Sequence, residues 1–149
     1  SAASDVYKRQ VMSPESRRFL TLTKPAFAAP DLASVIMLQS HRYELAAKWK
    51  TFFNEYDVLL CPTWALPAFE HGFDIISEQT ALEVIETFRP VMPANLFGSP
   101  AAVVPAGVVD GLPVGVQVMS WRHHDHACLT VAQMIDDAMG ISTPINPIR

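Results

Sequence analysis

The sequence is poor in charged residues and in long apolar stretches, and each shortage excludes a class of partner. Only 17% of the 149 residues are charged and the formal net charge at pH 7 is −4, so nothing in this balance attracts a polyanion. No apolar stretch reaches the roughly 18 residues that a membrane-spanning helix needs. We therefore expect neither a nucleic acid nor a membrane as partner.

Cysteine is also scarce, since Cys61 and Cys128 are the whole supply and could form at most one disulfide. Half of the residues are hydrophobic, which is enough for one domain with a real core. In such a chain the two cysteines are expected to be buried free thiols, which suits a cytoplasmic location. Cys61 as a nucleophile is the alternative, but no base lies near it in sequence, so a structural thiol is favoured.

The two ends of the chain share no pattern with its middle. The sequence has no initiator Met, and residues 1–10 are predicted to be a non-native leader, with a genuine polar arm as the alternative. Residues 141–149 contain two prolines and are predicted to be a tail. Residues 11–140 would then be the domain, cut from a longer protein.

Helix signals are frequent between these ends. Ser13, Asp31, Ser77 and Asp125 each precede a segment with helical periodicity and are predicted caps, and Gly140 suits the end of the last helix. The helix after Asp31 is expected to bury one stripe of apolar residues, formed by Leu32, Val35, Ile36, Tyr43, Ala46, Ala47 and Phe53.

Two apolar segments near the end of the chain predict a β-hairpin. Ala101–Val104 is short and apolar, as in a strand buried on both faces, and every second residue from Val114 to Val118 is valine. The Asp110-Gly111 pair between them suits a tight turn. Pro105 is expected at a strand end because it lacks an N–H for the ladder. With Val58–Cys61 as a further strand, the chain is predicted to be an α/β protein with a mixed β-sheet flanked by helices.

The segment Trp121–His126 contains three histidines and an aspartate, which raises the question of a metal site. Adjacent residues on a loop point in different directions, whereas a metal-binding pair on a helix needs a spacing of four residues. A solvated loop leading into the last helix is therefore favoured, and no metal or cofactor is expected.

Four motifs resemble the C-terminal part of the amidase signature family. They are the segments Asn95–Ala101, Val104–Gly107 and Gly111–Gln117, and upstream of them Asp57–Thr63. The resemblance covers roughly Asp31 to Gly140. It implies a partial amidase-signature fold whose N-terminal half is missing from this chain.

The resemblance implies hydrolysis of a carboxylic amide to an acid and ammonia or an amine, by a Ser–cis-Ser–Lys triad. That triad needs a Gly-Ser-Ser-Gly-like loop, but Gly98-Ser99 is followed by Pro100 and no Ser-Ser pair occurs. None of the lysines at 24, 48 and 50 carries the family's lysine motif. We therefore expect the triad upstream of this chain, and an inactive fragment.

The resemblance also implies which residues face the substrate. Pro62, Thr63 and Trp64 would lie at the acyl pocket together with the turn that contains Asn95, Gly98 and Ser99. The expected partner is a small-molecule amide. Trp64 and Phe69 suit an apolar or aryl one, and a homodimer of the full-length protein is one possible assembly.

Two alternatives to a stand-alone amidase stay open. One is a fragment of the subunit of a tRNA-dependent amidotransferase that shares the family's core, although Phe88 stands where we would expect an acidic residue. The other is a non-catalytic α/β binding module that happens to share the hairpin.

Overall fold

The computed structural model describes residues 11–27 and 29–140. The predicted leader at 1–10 and the predicted tail at 141–149 lie outside the described residues. In chain order the helices and strands are α1 (Pro14–Thr23), α2 (Leu32–Glu55), β1 (Leu59–Pro62), α3 (Glu78–Glu86), α4 (Met92–Phe97), β2 (Ala101–Val109), β3 (Leu112–Met119) and α5 (Asp125–Met139), with 3-10 turns at Lys24–Ala26 and Phe73–Ile75.

Three of the four predicted helix caps are confirmed. The side chains of Ser13, Asp31 and Ser77 each accept a hydrogen bond from the backbone N–H three residues later, at 3.1, 2.8 and 3.2 Å. The prediction for Asp125 is wrong, because α5 begins at that residue and His124 occupies the cap without a side-chain hydrogen bond. Gly140 ends α5 with a φ of 58°, the left-handed geometry expected of glycine at this position.

The three described strands form one sheet in the order β1-β3-β2. The predicted hairpin is confirmed, since β2 and β3 pair antiparallel around Asp110 and Gly111, which have φ angles of 50° and 80°. The α/β class is confirmed as well. Both pairings are antiparallel, so the described strands contribute no parallel pair to the expected mixed sheet.

Strand β2 departs from its prediction in two ways. It continues through Pro105 to Val109, with a register shift after Pro105 that leaves Ala106 without a partner. It is also covered on one face only, because Ala102 and Val104 pack on the core while Val103 is 54% exposed. Proline is tolerated in β2 because β2 is an edge strand of the described sheet, and only one face is covered because the core with α5 lies on the side of Ala102 and Val104.

The core lies between the sheet and α5. Val118 on the central strand packs with Cys128 and Ala132 of α5. The buried Ser120 donates its hydroxyl to Asp57 O at 2.7 Å, which fixes the end of β3 to the segment before β1. Burial, and to a smaller extent the Asp125 carboxylate, raises the pKa of the Cys128 thiol, so it stays protonated. The prediction of a buried free thiol is confirmed at this position.

Helix α2 contradicts the predicted apolar stripe, because none of its residues is buried. Only four positions along it are partly covered: Arg42, Ala46, Trp49 and Phe53. The ring centroids of Trp49 and Phe97 lie 5.5 Å apart, and those of Phe53 and Trp121 lie 6.1 Å apart. Although α2 has 24 residues, neither it nor another described helix has a long enough apolar window to cross a membrane.

Candidate functional site

A cavity of about 700 Å³ lies between the loop after β1 and the β2–β3 hairpin. Three predicted site residues, Pro62, Thr63 and Trp64, line it. The rest of the lining is uncharged and almost wholly apolar: Ala65, Leu66, Pro67, Ala68 and Phe69 from the loop, and Val103, Val109, Pro113, Val114 and Gly115 from the hairpin. Its volume is in the range of small-molecule sites.

The loop that forms one wall of the cavity is held at several points. The Thr63 N–H donates to Gly115 O at 3.1 Å and so extends the β1–β3 ladder by one residue. The Ala65 N–H donates to Thr87 O at 3.2 Å. The ring of Trp64 meets that of Phe88 edge-on, with centroids 4.5 Å apart. The aromatic wall is therefore fixed by both the sheet and the end of α3.

Gly115 keeps open the place where the strand and the loop meet. A Cβ built on it would lie 3.0 Å from Thr63 Oγ1 and 3.3 Å from both Val103 Cγ1 and Val104 O. Among the described residues, the buried Thr63 hydroxyl has no hydrogen-bond partner. Gly115 is thus required for space, and an uncommitted hydroxyl lies beside it.

Gly115→Ala is expected to lower the stability of the chain by roughly 1–3 kcal/mol, because the added methyl group would overpack against Thr63 and Val103. Urea unfolding of the purified chain measures this loss. The matched control is Gly115→Ala with Thr63→Ala, which removes the hydroxyl that the methyl meets. If the double variant loses as much stability as the two single variants added together, the proposed clash is contradicted.

The other three predicted site residues lie at the end of α4, outside this lining. Gly98 ends the helix with a φ of 63°, and its N–H and that of Ser99 both donate to Ala94 O. Asn95 is exposed, and its side chain donates to Val91 O at 3.4 Å. Ser99 Oγ is buried without a partner among the described residues. The structure therefore brings together the residues at 62–64 but does not join this turn to them in one cavity.

Two arginines, which the sequence did not single out, position that turn. Arg42 Nε donates to Leu96 O and Arg122 Nε donates to Phe97 O, both at 2.6 Å. Guanidinium groups at a helix C-terminus satisfy carbonyls that have no helical partner and oppose the negative end of the dipole. They come from α2 and from the loop before α5, and neither has a local sequence signal for this role.

Gln117 ends the motif Gly111–Gln117, but its role was not predicted from the sequence. It is 3% exposed, and its Nε2 donates to Pro90 O at 3.1 Å and to Cys61 Sγ at 3.2 Å. Cys61 is a free thiol as predicted, but it is only partly buried, because it lies on the outer strand β1. Its hydrogen-bond partners are an amide and a carbonyl, neither of which is a base that could activate a thiol.

The other candidate groups are dispersed over the surface. The rings of His124 and His126 lie 6.2 Å apart, and within 11–27 and 29–140 no three His, Cys, Asp or Glu residues form a metal-binding group. The lysines at positions 24, 48 and 50 are all exposed.

Comparison with known proteins gives a consistent result. The family model described as Amidase matches residues 3–129. An indoleacetamide hydrolase of Bradyrhizobium diazoefficiens is 32% identical, over 92% of this chain and 28% of its own length. A glutamyl-tRNA(Gln) amidotransferase subunit from Lactobacillus gasseri is 38% identical, over 59% of this chain and 18% of its own length. The crystal structure of the corresponding subunit from Thermotoga maritima superposes with a TM-score of 0.67 at 30% identity, covering 91% of this chain and 30% of the other. The chain thus spans less than a third of the length of these relatives.

Proposed function

Because the chain belongs to the amidase family, we propose that it is the C-terminal part of an enzyme that hydrolyses a carboxylic amide to an acid and ammonia or an amine. Residues 11–140 would form this part of the amidase domain. The four motifs that resemble the family support this assignment, whereas the family match at residues 3–129 supports membership of the family but not the bounds 11 and 140. The whole enzyme would be cytoplasmic and act on a small molecule.

The cavity at residues 62–69 carries the proposal about the substrate. Its lining contains no charged residue, and Trp64 and Phe69 contribute broad apolar surfaces. An uncharged aryl group would gain from leaving water there, whereas a charged group would lose its hydration without an ionic partner. We infer that this loop holds the acyl side of an aryl or other apolar amide.

The contact between Trp64 and Phe88 favours a stand-alone amidase over an amidotransferase subunit. Phe88 stands where we expected an acidic residue in an amidotransferase subunit. The centroid of its ring lies 4.5 Å from that of Trp64. A polar, charged substrate amide would require a charged group at such a place. Trp64 lines the cavity, and Phe88, which lies outside the lining, supports it with a second apolar ring.

The triad is proposed to lie in the part of the enzyme that this chain does not contain. In the reaction implied by the family, a serine oxygen attacks the amide carbonyl and the amine leaves with a proton, after which water hydrolyses the acyl ester. The lack of a Ser-Ser pair in the sequence and the position of Ser99 before Pro100 support this view. This chain would shape the acyl pocket and leave the bond-breaking groups to the rest of the protein.

The full-length parent enzyme tests the proposal in an assay for ammonia release. An arylacetamide such as indole-3-acetamide is expected to react with a kcat/KM roughly 10–100 times that of acetamide, because the apolar pocket stabilises the aryl group. An enzyme that ignores both amides and releases ammonia from glutamine only with partner subunits and a charged tRNA would instead be an amidotransferase subunit.

A further inference from the structure

The first half of α2, residues 32–41, has a surface that is unsuited to water. Leu32, Ile36, Met37 and Leu38 are between 58% and 75% exposed, and Val35 is 39% exposed. The segment contains no Asp, Glu, Lys or Arg. A helix at the surface of a soluble protein normally presents charged or polar residues on its outer face. This half of α2 therefore resembles a core helix without its surroundings.

The exposed apolar residues point in all directions around the helix. Residues 35–38 are consecutive, and successive side chains of a helix are about 100° apart, so these four cover the full circle. A single flat partner, such as the same face of a second copy, would cover only one side. The distribution calls for protein on several sides of the helix.

The second half of α2 shows how the helix is anchored. Arg42 donates to Leu96 O, and Trp49 and Phe53 contact Phe97 and Trp121. In the described part of the chain nothing buries a residue of the first half. Among the described residues the helix is thus held through its second half, and its apolar first half stays uncovered.

We propose that residues 32–41 are an internal docking element of the parent enzyme, covered by the portion of the amidase domain that this chain lacks. The Thermotoga maritima protein superposes on 91% of this chain, yet only 30% of its own length is used. The part of the parent enzyme that corresponds to the remaining length would pack around residues 32–41. The complementary surface is apolar and uncharged, because the segment offers it no charged partner.

The test places Ile36→Asp in two contexts, the full-length parent and the 149-residue chain. In the parent, the charge would be buried and Tm is expected to fall by about 5 °C or more. In the chain, the face is open to water, so Tm is expected to stay the same. Light scattering is expected to show less self-association of the variant chain than of the wild-type chain. Thr130→Asp, at an exposed polar position of α5, adds the same charge and is expected to change neither quantity.

An unchanged Tm in the parent with Ile36→Asp would overturn the proposal, because the face would then be free in the complete enzyme. If Ile36→Asp prevents the parent from folding, Ile36→Ala takes its place, since it removes side-chain volume without adding charge. A lower Tm than wild type in the parent but not in the chain then supports the proposal, and a Tm unchanged from wild type in both proteins overturns it. Neither readout depends on amidase activity.

Discussion

The purified 149-residue chain is expected to release no ammonia or amine from an aryl amide above the uncatalysed rate, whereas the full-length parent turns the amide over. The expected difference is about a millionfold or more, the usual span of enzymatic rate enhancement. The reason is that this chain would supply the pocket wall around Trp64 but not the nucleophile. Continuous ammonia detection with equal molar amounts of both proteins measures it.

The control for this result is proof that the chain is folded, for which far-UV circular dichroism and a cooperative urea transition suffice. Turnover of a simple amide by the folded chain would refute the proposed location of the triad. The first residue to test in that case is Ser99, whose buried hydroxyl has no partner among the described residues. Loss of that turnover in Ser99→Ala would identify a nucleophile within this chain.

Trp64→Ala in the full-length enzyme is expected to lower kcat/KM for an arylacetamide by roughly 10–100-fold, with little change for acetamide. The indole lines the cavity and packs edge-on against Phe88, with ring centroids 4.5 Å apart, so its removal takes away part of the apolar wall. An aryl group would lose this contact in the transition state, whereas a methyl group is too short to use it. Steady-state kinetics on both amides measures the difference.

Trp64→Phe is the matched control, because it keeps an aromatic ring against Phe88 and is expected to retain most of the activity on the arylacetamide. Trp49→Ala is a second control, since Trp49 packs on Phe97 at α4 and lies outside this cavity. An equal kcat/KM for wild type and Trp64→Ala on both small and bulky amides would show that the loop does not line the substrate site.

Local signals in the sequence predicted the parts of the fold that depend on local chemistry. The caps at Ser13, Asp31 and Ser77 and the turn at Asp110-Gly111 depend on neighbouring residues, and all four are confirmed. Which residues of α2 are covered could not be predicted, because an apolar stripe indicates a core helix but does not show which segments pack around it. Most of that helix's apolar residues are exposed here, as expected if the part of the enzyme that we propose to lie outside this chain covers them.

The sequence indicated only the part of the cavity lining that is continuous in sequence, and the role of those residues in substrate binding stays a prediction. Pro62, Thr63 and Trp64 were found because they follow an apolar strand in a family-like motif, and they line one cavity. Gly115 faces them from the hairpin, and its role follows from the space beside it, since a Cβ added there would lie 3.0 Å from Thr63 Oγ1, which no sequence spacing reveals. Likewise, Arg42 lies 54 residues before the carbonyl that it binds.

The most direct test of the central claim, that this chain belongs to an amidase whose catalytic groups lie elsewhere in the protein, is to sequence the parent gene upstream of Val11. We predict an open reading frame that encodes a lysine and, after it, a Gly/Ser-rich loop with two serines. A start codon shortly before Val11, with no such loop, would contradict the claim.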